Sequence, residues 1–138
     1  GFTKIEKKKA EKIDKDLFKY AHIEDNVLYT HAGVTKEWIE QNNFDLNESN
    51  IVEFLNSDPK ELWQVGMSRG GWYDHSSPIW ACAYGDWPMS HNPFNLIQIF
   101  GHSQQMNTGS KVSFCNNTCH CIDSRAIFTW DNNELKVF

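Results

Sequence analysis

Two histidines stand in matching surroundings. Tyr29-Thr30-His31-Ala32-Gly33 and Ile99-Phe100-Gly101-His102-Ser103 each place an imidazole just past an apolar stretch and beside a glycine. In α/β sheets, groups at the carboxyl ends of strands line the ligand crevice. A neighbouring glycine lets the backbone come close to whatever is bound there. Neutral imidazole is a ligand for Zn, Mn and Fe, so two such residues can converge on one ion. The competing reading of each is a loop histidine bonded to backbone. The sequence holds two arginines, Arg69 and Arg125. Arg69, between Ser68 and Gly70, can offer phosphate its planar two-pronged fork, or can brace its own loop. Arg125 adjoins a strand and reads as structural. Cys115, Cys119, His120 and Cys121 run C-x3-C-H-C, which is not the paired spacing of a zinc finger or ribbon. On a strand, Cys119 and Cys121 share a face and His120 takes the other, which favours ordinary strand thiols over zinc. His22, His75 and His91 have no partner motif.

These residues need elements to position them. Ile13, Leu17, Tyr20 and Ala21 recur at helical spacing within a Lys/Glu-rich start, which predicts an amphipathic helix that Asn26 interrupts. Val27 to Thr30 reads as a buried strand. Thr35 can cap a helix through Trp38 and Ile39, and residues 47–56 hold a second helical stretch. Asp58-Pro59-Lys60-Glu61 predicts a third helix start, with Asp58 as cap. Residues 66–95 lack a period and carry Trp72, Trp80 and Trp87. A loop of that length is usually functional. Its tryptophans are either packed anchors or a stacking platform for a sugar or base. The remainder reads as strands over 96–100, 111–115, 119–122, 126–130 and 134–138, the last two joined as a hairpin by Asp131-Asn132-Asn133. The expectation is an α/β fold, helices first and then mostly strands, in one domain or partial domain spanning residues 1–138.

Composition narrows the function classes. The chain has 138 residues, 40% hydrophobic and 14% aromatic, enough to bury a core. Its formal net charge is −5. Non-specific nucleic-acid binding by bulk positive charge is therefore not expected. No apolar run approaches the ~20 residues of a membrane span, so no membrane partner is expected. The chain opens on Gly1, as a processed chain, a tag scar or a fragment would. No signal peptide is visible, and the expected location is the cytoplasm.

In their order and separation of about seventy residues, "LYTHAG" and "IFGHSQ" resemble the C-terminal half of a calcineurin-like metallophosphoesterase. The nearest branch contains Ser/Thr protein phosphatases and diadenosine tetraphosphatases. "MSRGG…SPIWA" resembles the arginine-bearing loop between the two histidine motifs, and "HCIDSRAIFTWDNNELKVF" resembles the closing strands. The resemblance covers residues 23–138. It implies a metal-dependent phosphatase whose intact form holds two divalent ions, Mn, Fe or Zn. His31 and His102 would bind the same ion and Arg69 the substrate phosphate. Gln104 stands where other branches place a further ligand. The family's Asp-x-His, Gly-Asp-x-x-Asp and Gly-Asn-His motifs are absent, and with them the bridging aspartate and the general acid. The expected fold is half of a β-sandwich flanked by helices, deficient in activity alone. Its expected partners are a phosphorylated substrate and either a missing N-terminal half or a second copy. The alternatives are a non-catalytic binding module using loop 72–87, and a degenerate phosphoesterase half acting as a structural subunit.

Overall fold

A computed structural model describes residues 3–138 of this mixed α/β chain. Its order is α1 (Lys4–Ala10), β1 (Ala21–Glu24), β2 (Val27–Thr30), α2 (Lys36–Gln41), α3 (Ile51–Asn56), β3 (Ile97–Phe100), β4 (Val112–Phe114), β5 (Cys119–Cys121), β6 (Phe128–Asp131) and β7 (Glu134–Val137). Five strands form one sheet in the order β1-β2-β3-β5-β4, and β6 and β7 form a separate ribbon. The three central strands β2, β3 and β5 are parallel. An antiparallel hairpin partner flanks them on each side, β1 against β2 and β4 against β5. Parallel neighbours end at the same sheet edge, so the segments leaving β2, β3 and β5 emerge side by side.

The start of the chain differs from the sequence expectation. The first helix closes at Ala10 instead of running to Ala21, held by a capping box between Thr3 and Glu6. It buries no side chain. Ile13, Leu17 and Phe18 stay exposed, so their helical spacing marks no packed face. Ala21 lies in β1. The residue expected to interrupt a helix, Asn26, instead shapes a two-residue hairpin turn with Asp25, both at positive φ (50° and 63°). A β-hairpin thus stands between α1 and the two later helices, α2 and α3. Asp58 does not cap the segment that follows it. A 3-10 turn at Lys60–Trp63 begins after Pro59 with no side-chain cap. Thr35 does cap α2, its Oγ1 accepting from Trp38 N at 3.2 Å.

Two apolar clusters support the sheet. One gathers Leu28, Val34, Trp38, Ile51, Leu55 and Leu62, the other Ala32, Trp87, Phe100, Cys119 and Cys121. Gln98, fully buried in β3, bonds to segments of the crossover. Its Oε1 accepts from Val34 N at 2.8 Å, and its Nε2 donates to Val34 O and Asn92 Oδ1, both at 2.9 Å. A buried amide with every contact satisfied fixes the segment that follows His31 onto β3. Among the described residues no helix is long and apolar enough to cross a membrane.

Candidate metal centre

His31 leaves the end of β2 and its carbonyl accepts from Gly101 N at 2.9 Å, tying the two histidine loops together. Further bonds pin the first loop: Ala32 N donates to Pro78 O at 2.7 Å, and Gly33 N donates to Thr30 Oγ1 at 3.0 Å. Gly33 adopts φ +87°, and a Cβ there would overlap Trp87 Cζ2, so this position requires glycine twice over. His102 follows β3 at φ 69°. That left-handed backbone costs a residue with a Cβ on the order of 1–3 kcal/mol, strain of the kind that collects at functional sites.

The two imidazoles, 71 residues apart in sequence, meet at this edge. His31 Nε2 and His102 Nδ1 are 2.8 Å apart, with ring centroids at 4.7 Å. Burial lowers the His31 pKa, opposed by the charge of Asp123. His102 is pushed down to about 4, first by burial and then by His31 and Arg69, again opposed by Asp123. Both rings are therefore neutral at pH 7, the form with a lone pair to donate. At this distance one ring donates its N–H to the other; two nitrogens at right angles around an octahedral ion, each at ~2.1 Å, are about 3.0 Å apart, so loss of the shared proton and a small adjustment would let both face one ion. Among the described residues no group of three or more His, Cys, Asp or Glu side chains is placed to hold a metal, and the donor set here is two nitrogens. His102 Nε2 and Trp80 Nε1 are buried without partners, and the two rings pack edge to face at 5.8 Å.

Arg69 reaches the same edge from the crossover. Its Nη2 donates to Ser103 Oγ at 2.9 Å, and Ala83 N donates to the same oxygen at 2.9 Å. The loop carrying Arg69 is organised by Asp86, which is buried. The Asp86 carboxylate accepts from Ser68 Oγ at 2.6 Å, Cys82 N at 2.8 Å and Ser76 N at 3.1 Å. A cleft of about 480 Å³ opens beside His31, with Tyr20, Tyr29 and Ile79 in its walls. Another, of about 500 Å³ and lined by Asn26, His91 and Cys115, lies away from the imidazole pair.

The other sequence candidates go elsewhere. Cys119 and Cys121 pack into the Trp87 cluster, while His120 faces the opposite side of β5 and bonds Ser113 Oγ through Nδ1 at 2.7 Å. These side chains cannot converge. The three loop tryptophans do not form one platform: Trp72 is 96% exposed, Trp87 is 1% exposed, and Trp80 abuts His102. Sequence reasoning missed Asp86 and Ser103, whose partners, Cys82 apart, lie 10 to 34 residues away and leave no local spacing signal. It also took Arg125 as structural without naming its partner, Gln104.

Burial lowers the His120 pKa, helped by the nearby Lys111 charge. As pH falls through ~6.5 the unfolded chain takes up this proton and the folded chain does not, so stability drops. Urea midpoints measured at pH 7.5 and 5.5 should fall further for the native chain than for His120→Gln. Equal falls would show that His120 contributes no such linkage.

The architecture and its edge define a mixed α/β domain with a two-imidazole, one-arginine centre at the carboxyl ends of parallel strands. No family model, curated protein or solved structure matches the chain.

Proposed function

We propose that this chain supplies one side of the metal site of a calcineurin-like phosphoester hydrolase. The observation that carries the reading is the 2.8 Å approach of His31 Nε2 to His102 Nδ1 across neighbouring parallel strands. Arg69, anchored to Ser103 next to His102, fits the reading as an anion-binding group, since an anion between it and a bound ion would offset the repulsion of the two cations. Phosphate fits that description and matches the guanidinium fork. A bound divalent ion, Mn, Fe or Zn, supplies charge neutralisation and an activated water. His31 Nε2 and His102 Nδ1 would hold the ion once the proton they share is lost, Arg69 would orient a phosphoryl group, and Trp80 covers one side of His102.

In this reading the site is shared with another polypeptide segment. Two nitrogens leave coordination positions open, and no second set of ligands stands among the described residues. His102 Nε2 and Trp80 Nε1 are enclosed without partners, and each unpaired buried donor costs about 1–3 kcal/mol. The five-stranded sheet would form part of a two-layered sandwich, with β1 and β4 as its free edges.

The test is p-nitrophenyl phosphate turnover with added Mn²⁺. The chain alone should turn over slowly, because two donors cannot place both the attacking water and the second ion. Adding a polypeptide that carries the Asp-x-His, Gly-Asp-x-x-Asp and Gly-Asn-His motifs should raise the rate at least ~100-fold, and His102→Ala should abolish the gain. Fast turnover by the chain alone, lost in His102→Ala, would contradict the shared site. No gain from the added segment, together with no Mn²⁺ binding, would contradict the hydrolase reading itself.

A further inference from the structure

The sequence has two arginines, and both are held by consecutive residues of the loop after His102. Arg69 donates to Ser103 Oγ. With the Gln104 amide oriented to satisfy its neighbours, Gln104 Oε1 accepts from Arg125 Nη2 at 3.1 Å and from Arg125 Nε at 3.0 Å. Ser103 and Gln104 immediately follow His102, so both arginines are anchored to the same short loop. Neither arginine forms an ion pair with a carboxylate among the described residues. In a chain of net charge −5, both guanidiniums therefore stand without a carboxylate partner, Arg69 beside His102 and Arg125 on the loop two residues beyond it.

The backbone adds an independent observation. Arg125 sits at φ 57°, a left-handed conformation that glycine adopts freely and a residue with a Cβ does not. Its side chain is exposed, so no core packing rewards an arginine there. The Gln104 bonds occupy Nε and one hydrogen of Nη2, leaving Nη1 and the other Nη2 hydrogen to donate. A strained residue with a pre-aimed, unfilled guanidinium is arranged for an outside anion.

We propose that Arg125, positioned by Gln104, is a specificity-determining residue that binds a second anionic group of the substrate, a few bonds from the phosphate held at His31, His102 and Arg69. The substrate class is a small doubly anionic phosphoester, whose second group is a phosphate or a carboxylate. This inference rests on the phosphoesterase reading, and the experiment separates the two.

The probes are non-hydrolysable: propylphosphonate with one anionic group, propane-1,3-diphosphonate with two phosphonates, and 3-phosphonopropanoate with one phosphonate and one carboxylate. Binding to the chain in saturating Mn²⁺ is measured by titration calorimetry. The native chain should bind at least one of the doubly anionic probes about 10-fold or more tightly than propylphosphonate, as expected for one added charge-assisted contact. Which of the two gains more tells phosphate from carboxylate. Arg125→Gln and Arg125→Gly should both erase that preference while leaving propylphosphonate affinity unchanged. Arg125→Gly also relieves the left-handed strain, so its melting temperature should hold or rise, which separates lost binding from lost folding. Arg69→Gln should weaken all three probes alike. If the preference survives both Arg125 variants, or never exists, the inference fails while the phosphoesterase reading stands. If no probe binds and Arg69→Gln changes nothing, the phosphoesterase reading fails and this inference with it.

Discussion

His102→Ala should weaken Mn²⁺ binding by at least about 100-fold, more than the 10–100-fold typical of losing only a supporting contact around a metal ligand. The reason is the donor set. His31 and His102 are the two nitrogens that face each other at 2.8 Å, and removing one leaves a single imidazole, which does not hold a divalent ion at micromolar concentration. Alanine at φ 69° also carries backbone strain, so His102→Asn is the better-behaved partner variant. Asparagine tolerates the left-handed region well and keeps the loop's path while withdrawing the imidazole. Both variants should lose the calorimetric Mn²⁺ signal with unchanged far-ultraviolet circular dichroism. Retention of the native affinity within about threefold in either variant would remove this histidine from the metal site, given that factors of that size lie within ordinary context dependence.

Trp87→Ala should cost about 3–5 kcal/mol of stability, as large aromatic deletions from a packed core do, and lower the melting temperature by roughly 10–20 °C. Trp87 is 1% exposed and stacks on Phe100 at 4.8 Å and on Phe114 at 6.0 Å. Its Nε1 donates to Ala32 O at 3.0 Å, and its ring lies against Gly33. The residue therefore braces the loop of His31 as well as the core of the sheet. Mn²⁺ affinity should fall along with stability, measured at a temperature where the variant remains folded. Trp87→Phe, which keeps most of the packing and loses the Ala32 bond, should recover most of the stability. A loss under about 1 kcal/mol in Trp87→Ala would show that the surrounding residues collapse into the space and that the brace is dispensable.

What the sequence disclosed, and what it hid, follows from the range over which each feature is encoded. Strands β2 and β3 were legible because short apolar runs end at glycine-flanked histidines, and the β6–β7 turn because Asp131-Asn132-Asn133 is turn chemistry. Their parallel pairing, which brings His31 to His102, is a long-range contact that no local pattern encodes. Strand β1 was misread because Ile13, Leu17 and Ala21 fall at helical spacing by chance. Leu17 is 77% exposed, and the hairpin turn at Asp25-Asn26, together with packing on β2, decides the conformation of Ala21–Glu24. Asp58 looked like a cap from residue type alone, yet its φ of 56° takes its backbone away from a capping geometry. The partners of Arg69 and Arg125 were invisible for a similar reason. Ser103 and Gln104 are common residue types, and only the folded loop after β3 brings them to the guanidiniums.

The central claim is that one divalent ion joins His31 Nε2 to His102 Nδ1. The most direct measurement is a long-range proton–nitrogen spectrum of the ¹⁵N-histidine-labelled chain at pH 7, titrated with Zn²⁺ as a diamagnetic ion. At one equivalent, His31 Nε2 and His102 Nδ1 should move together to metal-bound nitrogen shifts. His31 Nδ1 and His102 Nε2 should at the same time carry the protons, and His22, His75, His91 and His120 should stay unchanged. Movement of only one of the two rings, or of neither, would contradict the claim.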